Sequence, residues 1–146
     1  MNMKAVLAVA ALALVMVVGA VSQTASQTPG TTKHHVVFQL SEKEGDEWGA
    51  LIRHVNNTRN ALDKDGGIQV EVVFFGQGLN MLRKTNTAYE ERLKKLADMG
   101  VTLSACQNAM KALNVKTEDL FPFAGQVDSG IAQIVRRQEA GWAYVH

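Results

Sequence analysis

Cys106 is the residue with the most chemistry to offer, and it is the only cysteine in a chain of 146 residues. It lies in Val101-Thr102-Leu103-Ser104-Ala105-Cys106-Gln107-Asn108-Ala109-Met110, which reads as a short buried strand running into a helix. A thiol at that junction stands at the carboxyl end of a strand and faces the start of a helix. In open α/β sheets that edge is where ligands bind. The free N–H groups and dipole of a helix start favour anions, thiolate included. Thiolate is the nucleophilic form, and a free thiol has a pKa of about 8.5 that a helix start or a nearby cation lowers. Lys111 is the nearest cation in sequence, but five residues on it does not share a helical face with Cys106. The helix dipole must therefore carry any activation. The opposing reading is a buried, inert thiol, because free cysteine is among the most buried residue types. Residue types alone leave the two readings open.

Other chemistries fail on spacing. Gly76-Gln77-Gly78 follows a strand, as a dinucleotide fingerprint would, but Met81 stands where the third glycine belongs. There is no glycine-lysine phosphate loop either, so neither NAD nor ATP is expected. His34 and His35 are adjacent and point to opposite faces of a strand, and neither His54 nor His146 has ligand spacing to a partner. No metal and no other cofactor is expected. A serine-hydrolase elbow, Gly-x-Ser-x-Gly, is absent from the sequence, and Ser129 in Asp128-Ser129-Gly130 has the position of a helix cap. One cysteine cannot form an internal disulfide; it is buried, bridged to another chain, or reactive.

The elements that must position these residues follow from hydrophobic patterning. Val36 to Leu40 reads as a first strand, and Ser41 with Glu44 matches a capping box for the helix that follows. Trp48, Leu51, Ile52, Val55 and Leu62 keep helical spacing until Gly66-Gly67. Ile68 to Phe75 is the strongest strand signal, and its second half is apolar on both faces, as in a central parallel strand. Leu79 to Lys84 reads as a helical turn. Tyr89, Leu93, Leu96 and Met99 then share a helix face that ends at Gly100. The strand Val101 to Ala105 and a helix from Gln107 to Leu113 come next. Gln126-Val127 reads as a short strand, Asp128 to Gly130 as the cap of a helix with Ile131, Ile134 and Val135 apolar, and Trp142 to Val145 as a last strand. Alternating strands and helices with short loops predict a three-layer, doubly wound α/β domain of flavodoxin or Rossmann type. Its mostly parallel, five-stranded sheet would carry helices on both faces. Parallel strands put Ser41, Gly76 to Gly78, Cys106 to Asn108 and Asp128 to Gly130 on one edge.

The apolar content of 47% is inflated by the first twenty residues. A short basic start at Lys4 precedes an uncharged run from Ala5 to Ala20, with small residues for cleavage at Val18-Gly19-Ala20. That layout is a secretory signal peptide over 1–20, with cleavage options as late as residue 26. An uncleaved anchor is the alternative, at the lower limit of spanning length. Residues 21–33, including Pro29-Gly30, read as a flexible spacer before a domain over 34–146. The 15 basic and 14 acidic residues balance once Lys4 is removed, and they are interspersed. Nucleic acid is therefore not an expected partner, since it calls for a basic face. After cleavage no membrane contact is expected.

Several segments together resemble the DsrE/DsrF-like family. They are Gly100 to Asn108, the Val127-Asp128-Ser129-Gly130-Ile131 turn, Gln138-Glu139-Ala140-Gly141-Trp142-Ala143-Tyr144, and Gly76-Gln77-Gly78-Leu79. The resemblance covers nearly all of His34 to His146. It implies an α/β domain that assembles into trimers or hexamers. It also implies a sulfur-relay role in which a cysteine at this strand end holds sulfur as a persulfide, a role that transfers here to Cys106 alone. On this reading the amides of Asn108 and Ala109 stabilise the sulfur anion. Gly76 and Gly78 leave room for the donor, and Ser129 shares the edge. Two features depart from the family. Relatives often have threonine where this chain has Ala109, and the well-understood relays are cytoplasmic whereas this chain carries an export leader. The expectation is a periplasmic or secreted sulfur carrier, sulfurtransferase-like, exchanging sulfur with a donor and an acceptor. The alternative is a non-catalytic oligomeric module that binds a small ligand or partner, with Cys106 structural.

Overall fold

The computed structural model describes residues 32–146. The leader and most of the spacer lie outside the described residues. In chain order the elements are β1 (His34–Leu40), α1 (Asp46–Leu62), β2 (Ile68–Phe74), α2 (Thr87–Asp98), β3 (Thr102–Cys106), α3 (Gln107–Ala112), β4 (Gly125–Val127), α4 (Gly130–Glu139) and β5 (Ala143–Val145). A 3-10 segment, Gly76–Leu82, follows β2.

The strands form one five-stranded sheet in the order β4-β3-β2-β1-β5. All four neighbouring pairs are parallel. The predicted α/β sheet is therefore what the chain forms, and it is parallel throughout. Its layers are unequal. Strand residues of one parity, including Val36, Phe38, Leu40, Val70, Val72, Phe74, Leu103 and Ala105, join the main core with buried residues of α1, α2 and α3. The opposite face carries a small core of Val37, Val73 and Ile134, covered by α4. The alternation of side chains along each strand sorts the residues between these two faces. Burial of each large apolar side chain contributes roughly 1.5–3 kcal/mol, so the α1–α2 face holds most of the hydrophobic stabilisation.

Two local expectations give way. Helix α1 starts at Asp46 with Gly45 at its N-cap and no side-chain cap, so Ser41 and Glu44 form no capping box. The Ser41 hydroxyl instead donates to Glu42 Oε1 at 2.9 Å, and the chain bends through residues 41–45 before the helix begins. In α4 the apolar triplet divides. Ile134 is buried, but Ile131 and Val135 are 57% and 46% exposed. With α4 the only helix on its face, nothing within the described chain covers those two residues.

Candidate functional site

Cys106 ends β3 and serves as the N-cap residue of α3, with φ −75° and ψ 117°. Alternation places its side chain on the same face as Ser104, the face that α4 covers. The crossover from β4 back to β5 brings the start of α4 against the end of β3. There the N–H of Gly130 donates to Cys106 Sγ at 3.1 Å. Ser129 caps the helix by accepting from the N–H of Ala132 at 3.4 Å, which leaves the Gly130 N–H pointing at sulfur.

This corrects the expected source of anion stabilisation. Asn108 and Ala109 belong to α3, and Cys106 makes no side-chain cap bond to that helix. The donor comes from α4, a ten-residue helix. It is distant in sequence, so no spacing around the cysteine could reveal it. Gly130 itself is required by packing: a Cβ there would lie 3.0 Å from Phe75 Cβ and 3.2 Å from its ring.

The thiol lies at the base of a depression of about 280 Å³. Of the residues expected at the site, Gly76, Asn108 and Ser129 line it with Cys106, and Phe75, Ala109, Gly130 and Ile131 complete the wall. Gly76 sits at φ +51°, a left-handed backbone that its own lack of a side chain permits. Gly78 lies outside the depression. Its backbone packs on the Leu40 carbonyl so closely that a Cβ would collide with it, so this glycine is a packing requirement. Ser41 is also absent from the lining. Its hydroxyl is the main cause, ahead of the backbone N–H bond, that holds the Glu42 carboxyl below the usual carboxylate range. A larger hollow, about 340 Å³, opens between α1 and the ends of β1 and β5; Glu42, Glu47, His54 and His146 line it, and it holds no thiol.

Cys106 is 5% exposed, and the lining brings no titratable side chain besides the thiol itself. Lys111 lines a different hollow with Thr117 and Glu118. Stabilisation of negative charge on sulfur therefore rests on the Gly130 N–H and the aligned peptides behind it.

Sequence reasoning missed one group next to the site. Among the described residues Glu71 is the only charged side chain that is buried, at 1% exposure on β2. Ser104 Oγ donates to its Oε1 at 2.6 Å, Gln133 Nε2 reaches both oxygens at 3.1 Å, and Arg137 Nε donates to Oε2. The guanidinium also lies 4.2 Å from the centroid of the Trp142 ring. An acid in the middle of Ile68-Gln69-Val70-Glu71-Val72-Val73 was the available signal, paired with Gln133 and Arg137 one helical turn apart.

A parallel α/β domain with a thiol held at the ligand edge by a helix start is the class these features define. The DsrE/DsrF-like family model matches residues 34–146, and the chain belongs to that family. Among solved structures it is similar to a protein of unknown function, MTH1491, from Methanobacterium thermoautotrophicum. That pair shares 34% identity over 77% of this chain and 97% of the other, with a TM-score of 0.72. The ychN protein from E. coli shares the fold with a TM-score of 0.60 over 79% of this chain and 97% of its own, at 9% identity. No curated protein matches the chain.

Proposed function

We propose that this protein is an exported sulfur carrier that holds sulfane sulfur as a persulfide on Cys106. The observation that carries this reading is the Gly130 N–H directed at Sγ within the edge depression. Membership of the DsrE/DsrF-like family, whose members include sulfur-relay proteins, supports it at the level of the family.

The chemistry needs one nucleophile and no redox partner. The Cys106 thiolate attacks the outer sulfur of a polysulfide or thiosulfate donor. A bond forms between Sγ and that sulfur while the donor's own S–S bond breaks. The bonding pair leaves with the donor as a thiolate, a shorter polysulfide or sulfite, and the thiol proton goes to solvent. In discharge an acceptor thiolate attacks the outer sulfur, and Cys106 leaves as thiolate. Each step is an exchange at sulfur, so oxidation level is conserved. The Gly130 N–H can donate to Sγ when it carries charge. Asn108 and Ser129 offer polar groups to the outer sulfur or its donor, and Gly76 leaves space beside them.

Two further parts of the reading rest on other grounds. Export rests on the leader pattern of residues 1–20, with periplasmic or secreted destinations, and the amino terminus of protein recovered from its host tests it. Assembly into trimers or hexamers is supported by the exposed Ile131 and Val135 on the thinly covered face. A second reading, a non-catalytic binding module, is favoured by the 5% exposure of Cys106, which limits access for a large donor. Intact mass after polysulfide or thiosulfate treatment separates the two readings. One added sulfur in the native chain and none in Cys106→Ser supports the carrier.

A further inference from the structure

We propose that Glu71 is a positioning residue for Cys106, holding helix α4 and strand β3 in the one register at which the Gly130 N–H meets sulfur. This rests on the reading of Cys106 as the working thiol. The geometry forms a closed circuit. Glu71 accepts from Ser104, two residues before Cys106 on β3 and on the same face. It also accepts from Gln133, which is three residues, about one turn, beyond Gly130 on α4. Cys106 and Gly130 close the other side of the circuit through their own 3.1 Å bond. A shift of α4 along the sheet would therefore break the Glu71 contacts and the sulfur contact together.

The carboxylate suits this task because it has no alternative partner. A buried charge is costly unless it is paired and hydrogen-bonded, so the Glu71 site tolerates only the arrangement that brings all its donors in. Arg137 supplies the countercharge one turn further along α4, and its guanidinium is backed by the Trp142 ring. The Arg137 carbonyl in turn accepts from the Trp142 N–H at 2.9 Å, which ties the end of α4 to the approach to β5. An aliphatic residue at position 71 would also fill the space, but it would let α4 slide. The small apolar core on this face, Val37, Val73 and Ile134, offers little else to fix the helix.

The charged groups around the thiol are few. Its lining contributes none beyond Cys106 itself, α3 carries Lys111 toward another hollow, and at the start of α4 Asp128 is bonded to Arg136. The remaining pair is Glu71 with Arg137. This gives the test a sign. Removing the Glu71 charge by Glu71→Gln would, through space alone, make thiolate easier to form and move its appearance to lower pH. Loss of positioning does the opposite, because the Gly130 donor is withdrawn.

The experiment is the rate of iodoacetamide capture by the full chain as a function of pH, with thermal unfolding measured alongside. Glu71→Gln is expected to move the midpoint of the alkylation profile upward by roughly half to one pH unit. Gln133→Ala and Ser104→Ala keep the Glu71–Arg137 pair, so they serve if Glu71→Gln fails to fold, and both should shift the midpoint in the same direction by less. Gln138→Ala, on the exposed side of α4, should leave it in place. Variants that lose thermal stability with an unmoved midpoint would make Glu71 a structural residue only and overturn the proposal. A downward shift would overturn it too. Because no sulfur donor is present, this result is independent of whether Cys106 accepts sulfane sulfur.

Discussion

The N–H of Gly130 lies 3.1 Å from the Sγ of Cys106, across 24 positions of sequence and from a different element of the fold. Both residues sit at junctions, one where β3 ends and one where α4 begins. The contact therefore depends on the crossover that carries α4 to the second face of the sheet, and each consequence can be measured.

Gly130→Ala should separate the two groups. Its Cβ would meet Phe75 at 3.0 Å, so α4 or the Phe75 ring must move. The expected cost is about 1–3 kcal/mol by denaturant unfolding, as for other overpacked sites. The alkylation profile of Cys106 should move to higher pH in the same protein. An unchanged profile in a folded Gly130→Ala variant would show that the helix start does not influence the thiol.

Gly78→Ala should act on stability and leave the chemistry alone. The Leu40 carbonyl stands against Gly78, and it also accepts from the Phe75 N–H at 3.0 Å, so it cannot turn away freely. A loss of about 3 kcal/mol or more is expected from urea unfolding. Any variant that does fold should show native thiol reactivity, because Gly78 lies outside the depression.

The pH dependence of stability should include a contribution from Asp128. The Arg136 guanidinium, donating to both carboxylate oxygens at 2.7 and 2.8 Å, is the main cause that holds this carboxyl below its ordinary value of 3.8. A carboxylate with a lowered folded-state pKa stabilises the fold fully above its unfolded value, and the contribution declines from there as pH falls through the folded value. Asp128→Asn should therefore lower Tm slightly at pH 6, and the difference should shrink below about pH 4. Both groups are exposed, so added salt should weaken the effect. A Tm difference that does not decline at all between pH 4 and pH 2 would place its origin outside this ion pair.

How much of this was legible in the sequence depends on range. The five strands and the helices between them were readable because apolar spacing and glycine stops are local signals. The same alternation implied that Gly76, Cys106, Asn108 and Ser129 would share an edge, and all four line the depression. Gly78 stands two residues from Gly76 in the same turn, yet Gly76 takes a left-handed φ of +51° while Gly78 packs on the Leu40 carbonyl, and residue type reports neither. The Gly130 donor is not legible in the sequence, because α3 is the adjacent helix start along the chain and α4 begins 24 positions away. Glu71 was hidden because one acid within an apolar strand gives no indication of its partners. The exposure of Ile131 and Val135 follows from α4 having no companion helix on its face among the described residues, which helical spacing cannot report.

That exposure leads to a prediction about assembly. Ile131→Ser with Val135→Ser removes apolar surface that the described chain leaves uncovered, so monomer stability should change by only about 0.5 kcal/mol or less. If the α4 face forms the oligomer contact, light scattering at micromolar concentration should show a smaller particle than the native chain gives. An unchanged mass would locate the contact elsewhere.

The most direct measurement is tandem mass spectrometry of the Cys106 peptide after brief exposure of the protein to polysulfide and removal of the excess. A carrier should show one added sulfur on Cys106, fully removed by dithiothreitol and transferable to a small acceptor thiol, with none gained by Cys106→Ser. A native Cys106 that alkylates readily yet takes up no sulfur, or a Cys106→Ser protein that gains sulfur equally, would contradict the carrier role.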